Sequence, residues 1–226
     1  MSTDIKFCGL TRPEDAEHAV ALGAAFVGVI FAGGPRLLST DRASRVLRDV
    51  PAKVRRVGVF ADQTIDDIVV TAQALGLDVI QLHGACNPDR IAALRVAFRG
   101  EIWPVIRVSG SRLPAAMTDL LLTGDAVLLD AFVPGSLGGT GVTLPWAMLA
   151  ANLRDLRDVR DRGNAGGSGR IILAGGLRPD NVAQAISDLA PDVVDVSSGV
   201  ELSPGIKDHD RMRAFRDAVA HASVLS

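Results

Sequence analysis

Ile5-Lys6-Phe7-Cys8-Gly9-Leu10-Thr11, IKFCGLT, is a short apolar run that stops at a cysteine, turns at a glycine and leads into a helix start at Thr11-Arg12-Pro13-Glu14. It reads as one strand–loop–helix unit, and the unit recurs along the whole chain. Apolar runs fall at 5–8, 26–31, 56–60, 79–82, 102–108, 126–130, 171–174 and 193–196. All are short and most are rich in Val and Ile, as strands buried on both faces of a parallel sheet require.

Helical stretches follow each run, at 13–22, 41–50, 64–75, 88–98, 113–123, 145–157, 181–189 and 208–222. Thr11 before Pro13, Asn87 before Pro88, Thr64, Ser111 and Asn181 are cap candidates, and Gly23 and Gly76 punctuate helix ends. Eight units of about 28 residues each sit near the lower size limit of a closed (β/α)8 TIM barrel. An open doubly wound sheet is the alternative, but eight regular units without a second domain favour closure. Residues 1–226 therefore read as a single α/β domain. A charged, glycine-rich insertion interrupts its rhythm at 154–169, RDLRDVRDRGNAGGSG.

The totals narrow the function. The chain is 48% hydrophobic and 22% charged, the profile of a folded soluble protein. A net charge of −2 leaves no electrostatic footprint for nucleic acid or an anionic membrane, and 4% aromatics with no tyrosine argue against base stacking. The two cysteines, Cys8 and Cys86, form neither a metal-ligand spacing nor a disulfide framework, which fits a reducing, cytoplasmic setting and no metal. The first residues lack the regions of a signal peptide. The uncharged stretch 19–35 carries four glycines and a proline, and reads as a helix end plus a buried strand.

In a closed barrel the active site lies where the strands end. Strand 1 ends at Cys8, strand 2 leads to Arg36 and strand 3 to Asp62. Strand 4 ends at Gln81-Leu82-His83-Gly84, strand 5 near Arg107 and strand 6 at Asp130. The last two end in Ala174-Gly175-Gly176 and Asp195-Val196-Ser197-Ser198-Gly199. Gly175, Gly176, Ser198 and Gly199 let backbone N–H groups approach an anion where such barrels hold phosphate; the plainer reading is tight turns. Cys8 reads either as a small buried hydrophobe or, facing Asp130 around the barrel, as half of an acid–base pair. The base must be poised near neutral pH, which asks for a modest drop in the Cys8 pKa. The planar fork of Arg36 suits a substrate carboxylate. His83 is a catalytic candidate or a histidine packed at its strand end, Cys86 is incidental, and Asp125, ahead of strand 6, is structural.

The ordered set of segments resembles the phosphoribosylanthranilate isomerase family. It comprises Lys6-Phe7-Cys8-Gly9-Leu10-Thr11, Pro35-Arg36, Val57-Gly58-Val59-Phe60, Gln81-Leu82-His83-Gly84, Leu129-Asp130-Ala131, Gly138-Gly139-Thr140-Gly141, Leu173-Ala174-Gly175-Gly176-Leu177, Asn181-Val182, Asp195-Val196-Ser197-Ser198-Gly199-Val200-Glu201 and Pro204-Gly205-Ile206-Lys207-Asp208. The resemblance implies a (β/α)8 barrel and a cofactor-free Amadori rearrangement of N-(5-phosphoribosyl)anthranilate in tryptophan biosynthesis. It implies Cys8 as general base, Asp130 as general acid and Arg36 at the anthranilate carboxylate. It places phosphate at Gly175, Gly176, Ser198 and Gly199, with His83 and Asp195 among the substrate contacts. The expected partner is a small phosphorylated sugar, with the protein a monomer or homodimer.

Leu144-Pro145-Trp146 and Gly34-Pro35-Arg36 depart from the family's usual Phe-Asp-Trp and Ser-Pro-Arg, which bears on loop geometry. The rival readings are the related histidine-pathway isomerase or a dual-substrate enzyme, and a non-catalytic phosphosugar-binding barrel. The first would carry aspartate at Cys8; the second would not need Cys8 and Asp130 together.

Overall fold

The computed structural model describes residues 2–84, 86–108, 117–131, 150, 153–154 and 169–224. Parallel strands β1 (Asp4–Phe7), β2 (Phe26–Ile30), β3 (Arg55–Phe60), β4 (Val79–Leu82), β5 (Glu101–Val108), β6 (Ala126–Ala131), β7 (Arg170–Ala174) and β8 (Val193–Val196) close in chain order, and β8 returns to pair with β1. Among the described residues, α1 (Pro13–Ala21), α2 (Thr40–Leu47), α3 (Ile65–Leu75), α4 (Pro88–Ala97), α5 (Met117–Thr123), α6 (Val182–Leu189) and α7 (His209–Val224) follow the strands. Most of the expected helix at 145–157, the cap at Ser111, the loops at 138–146 and most of the segment 154–169 lie outside the described residues; 150, 153 and 154, which are described, are helical.

Side chains on a strand alternate between faces, so each strand supplies two cores. Phe7, Val27, Ile80, Ile102, Leu129, Leu173 and Val194 belong to the layer shared with the helices. Phe26, Val57, Val79, Trp103, Val105, Leu128, Ile172 and Val193 fill the barrel itself. No described helix is long and apolar enough to cross a membrane.

Local chemistry explains most element ends. The Thr64 hydroxyl accepts the Asp67 N–H at 3.1 Å, and Asn87 Oδ1 accepts that of Arg90 at 2.9 Å, so both caps form as expected. Gly76 closes α3 at φ +57°, in the left-handed region glycine tolerates. Two expected caps are overturned. Thr11 donates its hydroxyl to the Gly205 carbonyl instead, and Arg12 stands at the head of α1 with no side-chain cap. Asn181 accepts the Arg178 N–H at 2.8 Å and donates to the Gly176 carbonyl at 3.0 Å, so it braces the loop after β7 rather than capping α6. A short antiparallel hairpin that the periodicity did not reveal, β9 (Glu201–Ser203) with β10 (Ile206–Lys207), follows β8.

The N-terminal floor of the barrel is closed by charge. Glu101 receives Arg55 on one oxygen and Arg170 on the other, and Trp103 Nε1 donates to it at 2.7 Å. The Arg170 guanidinium lies over the rings of Phe26 and Trp103, 5.6 and 5.7 Å from their centroids. Asp125 is structural as expected: its carboxylate accepts the Ile102 N–H at 2.8 Å and pairs with Arg95 at 2.6 Å.

Candidate active site

The opposite end of the barrel gathers the residues expected to react. Alternation along β1 turns Phe7 to the helices and sends Lys6 and Cys8 inward. Gly28 on β2 makes the room: a Cβ there would lie 3.0 Å from Cys8 Sγ and 3.3 Å from Lys6 Cε. Cys8 is 5% exposed and unpaired. Burial pushes its thiol up, and the neighbouring Lys6 ammonium only partly offsets this. The protein's own groups therefore do not produce the expected drop in its pKa; desolvation outweighs the cation.

Asp130 ends β6 on the same rim. Burial raises its carboxyl above the ordinary value, and Asp195 adds to this while His83, Arg107 and Lys6 oppose it. Its carboxylate is 3.8 Å from His83 Nε2, too far for a hydrogen bond. His83 stands at its strand end with its side chain 31% exposed, and burial lowers its pKa, so the ring is held neutral beside the acid. Gly84 packs closely on the loop after β3, where a Cβ would lie 3.0 Å from the Ala61 carbonyl carbon and 2.7 Å from Asp62 Oδ1.

Beneath these groups sits a buried polar cluster that the run-by-run sequence reading passed over. Lys6 Nζ donates to Asp195 Oδ2 at 2.7 Å and to Gln81 Oε1 at 2.9 Å, and all three residues are buried. Burial alone would depress the lysine; Asp195 and the Cys8 sulfur reverse this and raise its pKa. Asp195 Oδ1 and Ser197 Oγ are buried without a partner among the described residues. Unsatisfied buried acceptors of this kind are found where a ligand supplies the missing donor.

Arg36 reaches the site, but its company is unexpected. Its Nε and Nη2 bind both oxygens of Glu201, at 2.7 and 2.5 Å. Glu201 is also held by Lys207 Nζ at 2.8 Å, and Lys207 donates to the Ser197 carbonyl at 3.0 Å. Burial would raise the Glu201 carboxyl, yet Arg36 and Lys207 together hold it below its usual range. Gly9 lets the arginine pass, since a Cβ there would strike Arg36 Cδ at 2.6 Å. One edge of the guanidinium, Nε and Nη2, is thus occupied by Glu201. Glu201, Lys207, Lys6 and Gln81 were missed as site residues. Their signal was parity for the last two, polar residues two positions before Cys8 and His83 on the inward face.

The two loops expected to hold phosphate meet. Gly175 and Gly176 have φ of +89° and +66°. A Cβ on Gly199 would fall 1.9 Å from the Leu177 carbonyl oxygen, so only glycine lets the turn Ser198–Val200 pack on the loop after β7. Gly34, where the family more often has serine, adopts φ +81° with open space around it. Cys86 lies apart, half-buried, with its thiol pushed up to about 11 by burial. Among the described residues no cluster of His, Cys, Asp and Glu could hold a metal ion.

Comparison with known proteins agrees with this geometry. Residues 5–218 match the sequence model of the N-(5'phosphoribosyl)anthranilate (PRA) isomerase family. An N-(5'-phosphoribosyl)anthranilate isomerase from a Geobacter species is 43% identical over 99% of this chain and 100% of its own length. The crystal structure of phosphoribosyl anthranilate isomerase from Thermotoga maritima superposes with a TM-score of 0.82 at 33% identity, covering 97% of this chain and 99% of that one. Another solved isomerase, in complex with reduced 1-(o-carboxyphenylamino)-1-deoxyribulose 5-phosphate, gives 0.77 at 32% identity, covering 97% and 99%.

Proposed function

The chain belongs to the N-(5'-phosphoribosyl)anthranilate isomerase family, and from that premise we propose that Cys8 is its general base and Asp130 its general acid. The enzyme carries out the Amadori rearrangement of N-(5'-phosphoribosyl)anthranilate to 1-(2-carboxyphenylamino)-1-deoxyribulose 5-phosphate, a step of tryptophan biosynthesis. The observation that carries the role assignment is the convergence of Cys8 and Asp130 on one rim, where both feel Lys6 and Asp195.

Asp130 in its acid form gives a proton to the furanose ring oxygen. The C1–O bond breaks toward that oxygen, and the amine lone pair forms the C1=N iminium. The Cys8 thiolate takes the proton from C2; the C–H electrons become the C1=C2 bond and the iminium electrons return to nitrogen. C1 then gains a proton and the C2 hydroxyl gives one up, so the ketone forms and both groups return to their starting states.

The pKa directions suit this division. Burial favours the neutral acid at Asp130, the form that donates. Burial also favours the neutral thiol at Cys8, so the thiolate is scarce until a cation arrives. The iminium formed in the first step is that cation, a unit positive charge beside a buried sulfur. Arg36 offers its guanidinium to the anthranilate carboxylate. Gly175, Gly176, Ser198 and Gly199 take the phosphate, and the unpaired Asp195 Oδ1 and Ser197 Oγ face the sugar hydroxyls. His83, neutral beside Asp130, contacts the substrate at the acid's side.

The pH profile tests the assignment. If one enzyme form must hold Asp130 protonated and Cys8 ionised, the acid has the lower pKa and the base the higher. Between the two values the gain in thiolate cancels the loss of acid, so kcat/KM is flat. Its alkaline fall then lies above the ordinary thiol value, although the base is being ionised there. A profile that instead rises steeply through pH 8–9, roughly where an unperturbed thiol titrates, overturns the assignment.

A further inference from the structure

We propose that Lys6 is a positioning residue for the reaction: its buried ammonium, fixed by Asp195 and Gln81, is the counter-charge against which the Cys8 thiolate forms. The inference rests on Cys8 being the base. A lysine with its ammonium fully buried inside a barrel needs a reason, because desolvating it is expensive unless it is paired. The pairing with Asp195 neutralises it but does not explain its place, two residues before Cys8 on the same inward face.

Geometry supplies the reason. An ammonium has three N–H donors. Two are spent, on Asp195 Oδ2 at 2.7 Å and Gln81 Oε1 at 2.9 Å. The third has no oxygen acceptor among the described residues, and Cys8 Sγ lies beside the lysine chain: sulfur and Lys6 Cε crowd the same point above Gly28. Gln81 and Asp195 come from β4 and β8, so the ammonium is anchored from two sides and cannot swing away when the substrate enters.

The other charges facing Cys8 are committed elsewhere. Lys207 on β10 is bound to Glu201 and the Ser197 carbonyl, and Arg36 after β2 is bound to Glu201. His83, just after β4, is held neutral by burial, and Asp195 on β8 opposes the thiolate. Lys6 is the cation that most favours the thiolate, and burial is what it works against. The three-residue spacing Lys-Phe-Cys thus encodes one device, a base and its counter-charge on a single strand face, with the aromatic ring between them turned to the helices.

The test is a titration of the Cys8 thiolate by its ultraviolet absorbance in a Cys86→Ser background, which leaves one cysteine of the two in the chain. Lys6→Met should move the titration up by at least about one pH unit, a tenfold loss of thiolate at any pH below the transition. Asp195→Asn keeps an acceptor for the ammonium but removes the opposing charge, and should move it down. Lys6→Arg should stay nearer the parent than Lys6→Met. A folded Lys6→Met protein whose titration is unchanged overturns the proposal. If Lys6→Met does not fold, Lys6→Gln decides: an upward shift supports the device, and no shift or a downward one overturns it. Failure of the underlying reading looks different, since a Cys8→Ser protein would then keep its turnover while the thiolate titration still responded to Lys6.

Discussion

Asp130 at the mouth of the barrel and Glu101 at its floor are both carboxylates drawn out of water, and burial pushes both upward. At the floor, Arg55, Trp103 and Arg170 reverse the effect and hold Glu101 below its usual range. At the mouth, among the described residues, the ion-pair partner of Asp130 is a histidine nitrogen 3.8 Å away, and its pKa ends above the usual range. The depressed Glu101 adds stability above its unfolded value of about 4.3, and that stability is lost as pH falls through the lower folded value. The raised Asp130 does the reverse: it detracts from stability once ionised, and is relieved below about pH 3.9, the ordinary aspartate value. Glu101 is a buried charge whose partners hold the fold, whereas burial outweighs the partners of Asp130.

The contrast can be broken most forcefully at Asp130. Asparagine keeps the shape but has no comparable proton to give, so Asp130→Asn should lower kcat by about 10²-fold or more. Because the charge it removes is a burden, the thermal midpoint should stay level or rise. A fall in the midpoint would mean that the mouth carboxylate is structural after all. Arg36→Ala should lower kcat/KM about ten- to a hundredfold, chiefly through KM, as loss of a charge-assisted hydrogen bond implies. Unchanged kcat/KM would remove Arg36 from substrate binding and leave it as a partner for Glu201. The smallest effect on activity belongs to the floor. Glu101→Gln should leave kcat/KM within about twofold while removing about 1–2 kcal/mol of stability. In a chain of this size that is a drop in thermal midpoint of about 2–8 °C. Activity loss without a midpoint change there would erase the distinction between the two ends.

The sequence makes the barrel and the polar residues at its mouth legible for a physical reason. Parallel strands covered on both faces must be apolar, so a polar residue where such a run ends stands out, as Cys8 and Asp130 do. The same rule hides Lys6 and Gln81. They lie inside runs taken as uniformly apolar, and only the inward parity they share with Cys8 and His83 marks them. Arg36 was legible as a cation on the right loop, but its bond to Glu201 joins residues 165 positions apart and follows no local pattern. Thr11 and Asn181 have the chemistry of caps, but a tertiary partner, Gly205, takes the Thr11 hydroxyl and the adjoining loop, through Gly176 and Arg178, takes the Asn181 amide. The hairpin at Glu201–Ser203 and Ile206–Lys207 is too short for periodicity to register, yet it delivers both charges that hold Arg36 and Ser197 in place.

Cys8 is the residue on which the mechanism turns, and the most direct measurement is kcat and thermal midpoint on the same Cys8→Ser protein. Serine nearly matches the thiol in size but does not ionise in the working pH range, so it removes the base and little else. The roles drawn here predict a fall in kcat of at least about 10²-fold, with a midpoint close to the parent. A folded Cys8→Ser enzyme that turns over at near the parent rate would contradict them.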